Sequence, residues 1–143
     1  MLISFFLSKN QKLVNKWHKE HLKIVSLAEG IIECHHKNKL AALKKKLKQL
    51  RELTLNHLMD EDIQLYKLLE SKRETDKEIE ELIVKFDDTF RGIKIALMNF
   101  LSKYNSSDSV LDDNFFKSFS EIVKVVVDRI DFEEAIYLKL GKK

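Results

Sequence analysis

The chain contains no proline and only three glycines among its 143 residues. The residues that punctuate β-hairpins and long irregular loops are therefore scarce, which argues against an all-β or loop-rich fold. A single cysteine, Cys34, excludes an intramolecular disulfide and fits a reducing compartment, so a cytoplasmic location is expected. Charge of one sign is also lacking. Twenty-six basic against 23 acidic residues leave a formal net charge of +3, which is no basis for a dedicated nucleic-acid binder. The longest apolar opening, Met1–Leu7, has no basic segment before it and is too short to span a bilayer. It is expected to pack on one end of the fold, and no membrane association is predicted.

What is present is helical patterning. Hydrophobic residues make up 44% and charged residues 34%, a mixture that suits amphipathic helices with one buried stripe. Ser8–Gln11 has the form of a capping box, followed by Leu13, Val14, Trp17, Ile24, Ala28 and Ile31 at helical spacing. His35-His36-Lys37-Asn38-Lys39 breaks that stripe. Cys34, His35 and His36 read better as a helix end, where the dipole favours positive charge, than as a metal cluster. A second stripe runs through Leu43, Leu47, Leu50, Thr54, Ile63, Leu65 and Leu68. The lysines between its first members, Lys44, Lys45, Lys46 and Lys48, with Arg51, read as a solvated face.

A second capping box, Thr75–Glu78, opens a third stripe of Ile79, Leu82, Phe86, Phe90, Ile93, Leu97 and Phe100. Asn105–Ser109 reads as a loop. The fourth stripe is Phe115, Phe119, Ile122, Val126, Ile130, Tyr137 and Leu140, with Gly141 as a C-terminal cap. The valine-rich run Val123–Val127 has helical flanks and no partner strand, and is read as helix. Long helices with short connections predict one all-α domain over residues 1–143, an antiparallel up-down-up-down four-helix bundle.

The polar groups that fall on these apolar stripes carry the functional argument, because unpartnered burial is costly. His21 is in register with Trp17, Ile24 and Ala28. His57 and Glu61, four apart, share the face of Leu50 and Thr54. Glu133 lies between Ile130 and Tyr137. Reflected about a turn near Asn38, His21 lands at roughly 55, within a turn of His57, given about 3.6 residues per turn. Reflection about the next turns places that layer at roughly 85–89 and then roughly 127–131, one turn short of Glu133. His21, His57, Glu61 and Glu133 are thus the candidate metal ligands. Imidazole with carboxylate suits iron, zinc or manganese, and the lack of thiolate argues against copper(I) or a cluster.

Three segments resemble the hemerythrin family, specifically its bacterial HHE cation-binding domains. They are Lys16-Trp-His-Lys-Glu-His21, then His57-Leu-Met-Asp-Glu61 with Ile63-Gln-Leu-Tyr66, and Arg129-Ile-Asp-Phe-Glu133-Glu134. The resemblance implies a four-helix bundle with a non-haem di-iron site for oxygen or a related small molecule. It also implies a histidine where this chain has Arg129, and one or two on the third helix, where the layer offers Phe86 and Phe90. The expectation is therefore a protein binding one or two irons, or zinc or manganese, for oxygen, nitric oxide or redox sensing or iron handling. It is expected to be a monomer or homodimer and not an enzyme. The alternative is a metal-free helical module regulating a protein partner, with Arg129 neutralising Glu133. His18, Tyr137 and Gly92 are read as supporting residues, and Asp60 and Glu134 as substitutes should the helix phase be off by one.

Overall fold

The computed structural model describes residues 9–72, 77–104 and 111–141. Among them are four helices, α1 (Lys9–His36), α2 (Leu40–Ser71), α3 (Lys77–Lys103) and α4 (Asp113–Gly141), and no strand. Cross-helix contacts give the direction of each pair. His21 meets His57 while Trp17 meets Asp60, so α1 and α2 are antiparallel. His18 meets Glu134 while His35 stacks on Phe116, so α1 and α4 are antiparallel as well. Arg129 reaches Phe86 while Phe119 packs on Phe100, which sets α4 against α3 in the same sense. The bundle is up-down-up-down, as the short connections predict. None of these helices is long and apolar enough to cross a membrane.

The α1–α2 connection has a clear physical cause. Asn38 adopts φ 55°, a left-handed conformation that asparagine tolerates better than most side chains. Around it the Lys39 amide donates to the Cys34 carbonyl at 2.8 Å and the Asn38 amide to the His35 carbonyl at 3.1 Å. This is a Schellman closure, and it lets α2 begin at once. Asp112 caps α4, its Oδ1 accepting from the Phe115 amide at 3.0 Å, a cap the sequence reading had not assigned. The apolar opening Met1–Leu7, Ser8, Thr75 and the Asn105–Ser109 loop lie outside the described residues. Gly141 is the last residue of α4, and a cap beyond it lies outside them too.

The stripes are buried much as expected, with local shifts of phase. Ile63 is 56% exposed; Leu65 is buried as expected, and Leu58 and Leu69 complete the wall of α2. On α3 Ile83 is buried where Leu82 was expected, and on α4 Arg129 and Ile136 are buried beside a half-buried Ile130. Val123–Val127 is helical and Lys44, Lys45 and Lys48 are exposed. Trp17, Leu65, Leu69, Phe86 and Ile136 form one apolar cluster, and Ala28, Leu43, Phe100, Phe115 and Phe119 another towards the α1–α2 turn. The side chains at the layer of His21 lie between the two. Each fully buried large apolar side chain contributes about 1.5–3 kcal/mol, so the polar layer is held in place from both ends.

Candidate metal centre

His21 projects from the middle of α1, His57 and Glu61 from one face of α2, and Glu133 from α4, and all four are almost completely buried. One ligand-type atom from each lies within 4.8 Å of the others, the one such group among the described residues. His21 Nε2 is 2.9 Å from His57 Nε2 and 2.7 Å from Glu133 Oε1. His57 Nε2 stands 2.6 Å from Glu61 Oε2 and 3.4 Å from Glu133 Oε1. Neither Glu61 oxygen forms a hydrogen bond of good geometry.

The outer nitrogens of both imidazoles are pinned. His21 Nδ1 donates to Glu134 Oε2 at 2.6 Å, and His57 Nδ1 donates to Glu20 Oε1 at 2.7 Å. A carboxylate only accepts, so each Nδ1 carries its proton outward and each Nε2 faces inward. With both imidazoles neutral, the two inward nitrogens at 2.9 Å oppose two lone pairs, a conflict that one added proton or a bound cation relieves. A cation shared by the two nitrogens and the two carboxylates removes that conflict and gives the Glu61 oxygens a partner. Carboxylate–histidine pairs of this kind hold metal-ligating imidazoles in orientation. The donor set therefore fits a metal ion.

Without a metal the charges balance among themselves. Burial works against protonation of His57, but donation towards Glu133 and the adjacent Glu61 and Glu133 carboxylates outweigh it and raise its pKa to about 10. Burial raises Glu61 to about 7, with His57 opposing and the Glu133 charge adding to the rise. Burial also pushes Glu133 up, yet hydrogen bonds from His21 and His57 and the Arg129 charge hold it well below the usual carboxylate range.

Arg129 is buried beside this cluster. Its Nε donates to Glu133 Oε2 at 2.7 Å, and its Nη1 donates to the Phe86 carbonyl at 3.2 Å and to Thr89 Oγ1. The guanidinium lies 4.4 Å from the Phe86 ring centroid and 5.7 Å from that of Phe90. Phe86 and Phe90 thus form a shelf for a cation. The expected competition between Arg129 and a metal for Glu133 takes a different form: the carboxylate presents Oε2 to Arg129 and Oε1 to the histidines.

The supporting residues sort differently from expectation. Asp60 accepts from Trp17 Nε1 at 3.0 Å and Lys16 Nζ at 2.9 Å, latching α1 to α2 outside the cluster. Glu134 orients His21 and also accepts from His18 Nδ1 at 2.9 Å, so His18 stands behind the ligands. Glu20 was missed as an orienting residue. Its signal was adjacency: Glu20 precedes His21 and Glu134 follows Glu133, each on the helix edge that meets a neighbour. Tyr137 makes no hydrogen bond to Glu133; its ring stacks on His21 at 5.7 Å, and burial, then the Glu61 and Glu133 charges, push its pKa up. Gly92 is exposed and a Cβ there would meet nothing within 4 Å, so it permits no close helix approach. Cys34 is buried in the far apolar cluster.

A four-helix bundle with a buried layer of two imidazoles and two carboxylates, each imidazole braced by an outer carboxylate, defines the class of helical cation-binding proteins. The chain matches the Hemerythrin HHE cation binding domain over residues 12–140, nearly its whole length, and belongs to that family. No curated protein and no solved structure matches it.

Proposed function

We propose that this protein is a non-haem iron-binding member of the hemerythrin family, holding one metal ion on His21, His57, Glu61 and Glu133. The observation that carries this reading is the pair of inward Nε2 atoms at 2.9 Å, each imidazole fixed from behind by a carboxylate. A single ion is favoured over two because Arg129 already takes Glu133 Oε2, the oxygen a bridging glutamate would offer to a second ion. Two nitrogen and two oxygen donors suit iron(II), with zinc and manganese as the competing ions. Bound iron supplies a redox couple and an open position for a small ligand such as oxygen or nitric oxide. The chain's own residues exclude water from that position, fix the imidazole tautomers and set the negative charge of the site.

The role that follows is oxygen, nitric oxide or redox sensing, or iron handling, rather than enzymatic turnover, by a monomer or homodimer. The test is metal content per chain after growth with added iron, for wild type and His57→Ala. One iron in wild type, lost in the variant, supports the reading, and two irons would overturn the single-ion form. No metal of any kind would move the function to a metal-free module regulating a protein partner.

A further inference from the structure

A cavity of about 160 Å³, partly open to solvent, lies between the four helices. It begins one turn from the metal-ligand layer on the side of the α1–α2 turn. Ile24 on α1, Thr54 on α2, Leu97 on α3, and Phe119 and Val126 on α4 are among its walls. None of His21, His57, Glu61 and Glu133 lines it, so it is separate from the metal centre. Ala28 on α1 and Val123, Val126 and Val127 on α4 are the smaller apolar side chains among its walls.

Only Glu29, Arg51 and Thr54 among the lining residues are polar. Water needs two to four polar partners, and apolar cavities of about 150 Å³ stay dry and accept benzene or xenon. The walls reach the surface at Glu29 and at Val127, which is 37% exposed, so a small molecule has a short way in. The cavity is below the usual size of a drug-like pocket, and a long chain or fused ring system does not fit.

We propose that this cavity is a binding site for a compact, uncharged apolar molecule of about the size of one benzene ring. A charged form of the same ring is disfavoured, because it would lose water in an apolar cavity where Arg51 and Glu29 offer opposite charges and no net attraction. The proposal does not depend on metal binding and applies to the metal-free and the loaded protein alike.

The test is a calorimetric titration of the full chain with benzene, run beside benzoate and followed by methyl resonances of Ile24 and Val126. The expected result is saturable benzene binding with shifts at those methyls, and benzoate at least tenfold weaker. Ala28→Leu fills the space and should retain or raise Tm while weakening benzene at least tenfold. Val126→Leu is the second filling variant should Ala28→Leu fail to fold. Absence of saturation in wild type would overturn the proposal. So would equal binding of benzoate, or undiminished benzene binding by a folded filled variant.

Discussion

Replacing Arg129 by methionine separates the two cations that Glu133 can serve. In the metal-free protein the guanidinium is the fixed positive charge on a buried carboxylate, bonded at 2.7 Å. Removing one partner of a buried pair costs up to about 3–5 kcal/mol when the remaining charge is left alone, and His21 and His57 still hold part of the Glu133 charge. At the lower end of that range, for a chain of this length, the fall in Tm is roughly 10 °C. With a divalent ion on Glu133 Oε1, the ion takes over the neutralisation. What is then lost is the pair of Nη1 bonds to Phe86 and Thr89 and the stacking over Phe86, together about 1.5–5 kcal/mol and lost in the metal-free protein as well. The assay is thermal and urea unfolding of wild type and Arg129→Met, each chelated and each at one fixed excess of metal, since ligand concentration itself shifts Tm. The expected result is a smaller penalty in the loaded protein, because the Nη1 bonds and the stacking are lost in both states and only the uncompensated Glu133 charge differs. An equal or larger penalty with metal would refute the placement of the ion on Glu133.

Glu20→Gln and Glu134→Gln should each weaken metal affinity about 10–100-fold while leaving helicity unchanged, measured by competition with a chromophoric chelator; unchanged affinity would mean that the Nδ1 contacts do not orient the ligands. The metal-free protein should lose stability as pH rises. His57, raised from 6.5 to about 10, contributes stability that is complete below 6.5 and lost through 10, and Glu61, raised from 4.5 to about 7, acts in the same sense over its own window. Metal affinity should climb across the same range, because the ion displaces those protons; urea midpoints of chelated protein that rise from pH 6 to pH 9.5 would contradict this. At the α1–α2 turn, Asn38→Gly should be neutral or stabilising, whereas Asn38→Val should cost about 1–2 kcal/mol in urea unfolding, the strain of a left-handed β-branched residue.

Much of the fold was legible because α1, α3 and α4 keep a helical apolar period and the connections are short. The depth of the ligand layer was legible for the same reason: at a fixed rise per residue, a turn near Asn38 brings His21 opposite His57. What it could not supply was side-chain direction within a turn. Arg129 and Glu133 sit four apart on one face, and a period count gives no reason for one to enter the ligand layer and the other to lie on a phenylalanine shelf. Ile63 differs for a related reason, since Ile63, Leu65, Tyr66, Leu68 and Leu69 alternate with polar residues and fit more than one helical phase. Glu20 was hidden, and Glu134 read only as a substitute ligand, because half-buried carboxylates look like ordinary surface residues until the histidine they orient is placed. The cavity was not legible at all, because valine and alanine report hydrophobicity and not the space left beside them.

The ligand layer draws on α1, α2 and α4, while α3 reaches it only through Arg129, by way of the Phe86 carbonyl and Thr89. An ion therefore acts as a rivet through three staves of a four-stave barrel. Loading it should slow amide exchange along those three helices far more than along α3, which keeps the lowest opening free energy of the set. The helix that touches no ion is then the one whose movement can report the state of the ion to the outside.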